Sequence, residues 1–104
     1  MASILIVDDE EGLRASLLTA FAREGYEVAA AASAEEALGR LALGPVDILL
    51  TDLVMPGMDG IGLMQRARET CPNILTILMT GGATVESAVR ALKERTGAAI
   101  DWAV

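Results

Sequence analysis

Three acidic side chains and one hydroxyl stand at the ends of apolar runs in this chain. Ser3–Val7, SILIV, leads directly into Asp8-Asp9-Glu10. A second run, ILLT, ends on Asp52 and is followed at once by LVMPGMDG. A third, ILTILM, ends on Thr80. In an open parallel sheet, ligands bind beyond the carboxyl ends of the strands, where the strand order reverses. If the first and third strands are neighbours, Asp8, Asp9 and Asp52 converge in one crevice. Several anions held together raise each other's pKa, and a hard cation relieves the repulsion. Mg²⁺ suits such a place, because it takes oxygen ligands, keeps several waters and needs few carboxylates besides a phosphate oxygen. Such a site fits phosphoryl transfer, in which positioning and electrostatic stabilisation dominate. A carboxylate can itself act as nucleophile and become an acyl phosphate.

Each piece alone has a simpler explanation. Acids before a helix are favoured by its positive N-terminus. MPGMDG by itself is a turn followed by a helix start. Thr80 alone is a satisfied polar group, and Asp47 is a capping or flanking residue of the third strand. The weight lies in the combination, which lines a single sheet edge.

The elements that must position these residues follow from periodicity. Apolar residues at helical spacing mark a helix over 13–23, with Gly25 at its C′ position. Tyr26–Ala30 reads as the second strand. Ser33 with Glu36 has capping-box spacing and opens a helix through Leu41, which Gly44-Pro45 ends. Val46–Asp52 is the third strand, 60–69 a helix ended near Pro72, and Ile74–Met79 the fourth strand. Thr84 caps a helix over 85–93 with Val85, Ala88, Val89 and Leu92 on one face. After Lys93, ERTGAAIDWAV reads either as a loop and a fifth strand over Ala99–Val104 or as a continuation of the helix. The strand is favoured, since a glycine inside a helix costs ~1 kcal/mol relative to alanine. Strands alternating with helices imply an α/β fold, a parallel sheet covered on both faces with right-handed crossovers.

Composition narrows the function. The chain has 104 residues, 53% hydrophobic and 22% charged, enough for one globular domain. Eight Lys and Arg against fifteen Asp and Glu give a net charge of −7, which argues against direct contact with nucleic acid. No apolar run reaches the ~20 residues of a membrane helix, and the N-terminus lacks the basic region of a signal peptide. A cytoplasmic location is expected. Cys71 is the only cysteine and can form no internal disulfide, and histidine is absent. Neither G-x-x-x-x-G-K-[ST] nor G-x-G-x-x-G follows the first strand, so the glycine-rich phosphate loops are excluded.

The segments ILIVDDE, DILLTDLVMPGMDG and ILTILMTGGATVESAVRALK resemble the receiver domain of bacterial two-component response regulators. The wording around Met79–Lys93 is most similar to receivers that precede transcription-activator modules. The resemblance runs from Ser3 to Lys93 and more loosely to Val104. It implies a flavodoxin-like, doubly wound sheet in the order 2-1-3-4-5. Asp52 matches the phosphorylated aspartate. Asp8 and Asp9 match the acidic pair that holds Mg²⁺, with Asp9 closer to the direct ligand, and Val54 matches the position whose backbone carbonyl also binds the metal. Thr80 matches the hydroxyl that moves onto the new phosphate, and Trp102 the aromatic switch position. The phosphate would come from a histidine of a partner sensor kinase.

The chain departs from the family pattern after its fourth helix. The family places a lysine just after strand five, in contact with the phosphoryl group. The only lysine here is Lys93, within the fourth helix, and the chain stops at Val104 with the fifth helix missing. The expectation is therefore a C-terminally incomplete single receiver domain over 1–104, in which the metal site survives and phosphorylation or its readout is impaired. Losing a charge-assisted contact to phosphate costs ~1.5–3 kcal/mol. An apolar sheet face left open by the missing helix would favour a homodimer, with the C-terminal segment exchanged between chains. A phosphorylation-independent interaction module is the alternative. An aspartate-based phosphatase is disfavoured, because the D-x-D pair after strand one and its lysine are absent, so no dedicated enzyme is expected.

Overall fold

A computed structural model describes residues 2–81, 84–94 and 102–103. Among the described residues, five strands and four helices alternate: β1 (Ser3–Val7), α1 (Glu11–Arg23), β2 (Glu27–Ala31), α2 (Ala34–Leu43), β3 (Ile48–Asp52), α3 (Gly60–Thr70), β4 (Leu75–Met79), α4 (Val85–Glu94) and β5 (Trp102–Ala103). The strands form one parallel sheet in the order β2-β1-β3-β4-β5. Because parallel strands are covered on both faces, their side chains are apolar on both sides, and β1 is buried from Ile4 to Val7.

The sheet separates two apolar cores. On one face, Ile4, Ile6, Ile48, Leu50 and Ile77 pack under Leu17 and Phe21 of α1 and Ala88 and Leu92 of α4. On the other, Leu5, Val7 and Leu49 pack under Ala34, Ala37 and Leu41 of α2 and Leu63 and Ala67 of α3.

The position of α4 departs from the right-handed rule. The step from β3 to β4 runs in the same direction along the sheet as the step from β4 to β5. Connections of one hand therefore put α3 and α4 on the same face. Instead α4 joins α1, so the β4–α4–β5 unit has the opposite hand. The physical reason lies in the apolar faces: α1 alone leaves part of its sheet face open, and the stripe of Val85, Ala88, Val89 and Leu92 closes it.

Local chemistry fixes the element ends. Ser33 accepts a hydrogen bond from the Glu36 amide at 3.1 Å, and the Glu36 carboxylate accepts one from the Ala32 amide at 3.1 Å, so the Ser-Glu spacing starts α2 as expected. Asp59 caps α3 by accepting from the Gly62 amide at 2.8 Å. Gly25 turns the chain out of α1 with φ 93°, a left-handed conformation that favours glycine. Several boundaries differ from the sequence reading by one or two residues: both ends of β2, the ends of α2, α3 and α4, and the starts of α1, β3 and β4. Helix α1 starts at Glu11, so the acidic run reaches its first turn. Strand β3 starts at Ile48, because Val46 and Asp47 form the approach to it. Of the expected strand over 99–104, residues 99–101 and 104 lie outside the described residues, and Trp102–Ala103 pairs in parallel with Ile77–Leu78.

Candidate functional site

Register brings the acids together. Ile4 pairs with Ile48 and Val7 with Thr51, so the residues that follow β1 and β3 emerge side by side. Asp52 pairs with Met79 across to β4, and the Leu53 amide donates to the Met79 carbonyl at 2.9 Å, which carries the pairing one step past the acid. Asp8, Asp9 and Asp52 each offer a carboxylate oxygen, and these three oxygens lie within 4.8 Å of one another.

Asp8 is held hard in place. It is 1% exposed, its amide donates to the Ala31 carbonyl at 3.2 Å, and one carboxylate oxygen accepts from the Glu10 amide at 2.8 Å. Its carbonyl accepts from the Arg14 guanidinium at 2.8 Å. The other carboxylate oxygen, Oδ2, is buried with no hydrogen-bond partner among the described residues. Burial pushes the Asp8 carboxyl above its ordinary value of 3.8, and the negative charges of Asp52, Asp9 and Glu10 push in the same direction against the Glu10 amide. Asp9 is exposed and Asp52 half-buried. One Asp52 oxygen accepts a long bond of 3.4 Å from the Val54 amide.

These groups open on a cleft of about 230 Å³ lined by Asp8, Asp9, Asp52, Leu13, Met79 and Thr80, among others. The donor set fits a hard divalent cation. It supplies three acidic oxygens on nearly the span that one six-coordinate ion bridges at metal–oxygen distances of about 2.1 Å. The unpartnered Asp8 Oδ2 is a buried anionic atom that such an ion would satisfy.

The other sequence candidates fall as follows. Thr80 is exposed at the cleft, directly after β4. Val54 is 75% exposed, two residues beyond Asp52. Lys93 lies within α4, and its side chain, like that of Trp102, lies outside the described residues. Asp47 is absent from the cleft and binds Ser3 instead. Two contributors escaped the sequence reading. Arg14 clamps the Asp8 backbone, and nothing in its spacing distinguishes it from a solvated helix residue. Gly60 packs against the Asp52 backbone; its only signal was its place after the turn, where conformational freedom was the obvious role.

Comparison with known proteins agrees with this geometry. The family model for the response regulator receiver domain matches residues 4–100. The regulatory protein AtoC of Escherichia coli K12 is 44% identical over 90 residues, which is 86% of this chain but 20% of that protein. The response regulator receiver protein CpdR of Brucella abortus is 40% identical over 85 residues, 82% of this chain and 71% of its own length. This chain therefore spans about a fifth of the transcription-activator-type relative and most of the receiver-only one. Among solved structures, the response regulator TrrA of Thermotoga maritima, determined in complex with Mg²⁺-BeF, superposes with a TM-score of 0.77 at 32% identity, covering 100% of this chain and 86% of its own. With a doubly wound 2-1-3-4-5 sheet, an acidic cleft where the strand order reverses, and a match over nearly its whole length, the chain belongs to the response regulator receiver domain family.

Proposed function

We propose that this chain is a phosphoacceptor signalling module of a two-component system, in which Asp52 takes a phosphoryl group from a phosphohistidine of a partner sensor kinase. The observation that carries this reading is the convergence of Asp8, Asp9 and Asp52, with one buried Asp8 oxygen, Oδ2, lacking a hydrogen-bond partner among the described residues. Asp8, Asp9, Asp52 and the Val54 carbonyl would hold Mg²⁺. Bound there, Mg²⁺ would neutralise charge on the phosphoryl oxygens. A carboxylate oxygen of Asp52 attacks phosphorus, the donor P–N bond breaks, and its electron pair stays on the departing imidazole. The half-buried position of Asp52 leaves one side open to the donor, while its pairing with Met79 of β4 fixes its backbone. The Thr80 hydroxyl, on the cleft wall, is the group that would donate to the new phosphoryl oxygen and couple its presence to the segment leading into α4. The output would be regulatory and in the cytoplasm, with no direct nucleic-acid contact by this domain.

Incubation with Mg²⁺ and acetyl phosphate tests this, read by intact mass. One phosphoryl adduct that is absent without Mg²⁺ and in Asp52→Asn is the expected result. An unmodified wild-type chain under conditions that modify a full-length receiver would overturn it.

A second reading has one observation in its favour. Among the described residues, those lining the cleft include no lysine or arginine. A receiver fold that signals by association without phosphorylation would keep the sheet and its apolar faces and would not need a cation there. In that case Asp52→Asn leaves the oligomeric state and partner binding unchanged.

A further inference from the structure

We infer that Gly60 is a positioning residue for the phosphoacceptor site: its bare Cα lets α3 seat directly on the Asp52–Leu53 backbone, and that seat aims the Asp52 carboxylate and the Val54 carbonyl. The inference rests on the metal-binding reading above. A side-chain carbon at Gly60 would collide with the Asp52 carbonyl oxygen and stand 3.0 Å from the Leu53 Cα and 3.1 Å from the Asp52 carbonyl carbon. All three are backbone atoms, so no rotamer change relieves the clash. Among the described glycines, only Gly60 faces backbone at such range. A carbon at Gly62 would meet the flexible Met58 side chain at 3.0 Å, and one at Gly39 would meet nothing within 4 Å. Gly60 does not have positive φ, so the glycine serves proximity and not conformational freedom.

The contact is braced from several directions. The Gly60 amide donates to the Leu53 carbonyl at 2.9 Å, the Leu53 amide donates to the Met79 carbonyl at 2.9 Å, and the Thr51 hydroxyl donates to the Asp52 carbonyl at 3.0 Å. The backbone of Asp52 and Leu53 is thus held between β4 and the first turn of α3. A methyl group at position 60 must push the two apart, and the displacement falls on the Asp52–Leu53 peptide, which carries the Asp52 carboxylate and leads directly into Val54. Supporting groups around a metal site alter affinity by tilting its ligands without touching the ion.

The test titrates the full chain with Mg²⁺ by calorimetry and follows the amide resonances of Asp52, Leu53 and Val54 in the metal-free protein. Gly60→Ala is expected to weaken Mg²⁺ binding by about tenfold or more and to shift those amides, while Gly62→Ala and Gly39→Ala stay within about twofold of wild type. A folded Gly60→Ala protein that binds Mg²⁺ like wild type overturns the inference. Should that variant not fold, two matched caps decide. Asp59→Ala loosens the first turn of α3 and is expected to weaken Mg²⁺ binding, with Asp59→Asn restoring it, whereas Ser33→Ala removes the cap of the distant α2 and leaves binding unchanged. Equal Mg²⁺ affinity in Asp59→Ala and Ser33→Ala refutes the proposal. A wild-type chain that does not bind Mg²⁺ refutes the metal reading instead, and the amide shifts of the metal-free variants still report on the seat.

Discussion

The Asp47 carboxylate accepts hydrogen bonds from both the amide and the hydroxyl of Ser3, at 2.8 and 3.3 Å, while the Asp47 amide donates back to the Ser3 hydroxyl at 3.1 Å. The Asp47 carbonyl also accepts from the Leu75 amide at 3.1 Å. One residue thereby ties together the starts of β1, β3 and β4, at the opposite end of the sheet from the acidic cleft. A one-residue slip between β1 and β3 would turn every side chain to the wrong face. The clip is one of the contacts that set the register. Because it is exposed, Asp47→Ala should cost only about 0.5–1.5 kcal/mol in urea denaturation, with Mg²⁺ affinity unaltered in the folded protein.

Magnesium should stabilise the fold. A ligand bound only by the native state at ten times its dissociation constant adds about 1.4 kcal/mol. A thermal melt with and without Mg²⁺ should show this increment in wild type and lose it in Asp9→Ala. Equal melting temperatures for wild type with and without Mg²⁺ would count against the metal site.

The raised Asp8 carboxyl gives a pH signature. A folded acid above its ordinary value of 3.8 binds its proton more tightly than the unfolded chain does. Its penalty is absent below 3.8, grows as pH rises past that value, and is complete above the raised folded value. Asp8→Asn should therefore stabilise the metal-free protein at neutral pH, with the gain shrinking as the solution is acidified. The same variant should lose most of its response to Mg²⁺. Chemical denaturation across a pH series checks both.

Thr80→Ala should separate phosphorylation from its consequence. The variant retains Asp8, Asp9 and Asp52, so it should still acquire a phosphoryl group from acetyl phosphate. The structural response should weaken, because one hydrogen bond to a charged group, about 1.5–3 kcal/mol, is gone. Amide shifts in α4 before and after phosphorylation provide the readout.

Leu92 of α4 is 2% exposed against the α1 face. Leu92→Ala should cost about 2–5 kcal/mol and loosen the helix from Leu17 and Phe21. The apolar surface so uncovered should raise the apparent mass in light scattering with concentration, more than in wild type.

The elements that frame the cleft were legible because each carried its own signal. The apolar runs ended on acids, Ser33 and Glu36 stood at capping distance, and Gly44-Pro45 and Pro72 broke the helices between strands. Asp8, Asp9 and Asp52 converge because the β1–β3 pairing has the register that the motif spacing required. Less legible was anything decided by competition between faces. The stripe on α4 says that one side is buried but not which sheet face receives it, and α4 lies opposite the face that handedness favours. Backbone proximity is equally silent in sequence, since Gly60 looks like any turn glycine until the Asp52 carbonyl is seen against it.

A sheet with separate cores above and below it makes alternate residues of one strand energetically independent. Ile6 answers to α1 and α4, whereas its neighbour Leu5 answers to α2 and α3. Truncations of Ile6 and Leu17 share a wall and should interact strongly, while truncations of Ile6 and Leu63 should simply sum. Each compartment can therefore drift or be redesigned without retuning the other, and the strand backbones that carry the acids are the partition both must respect.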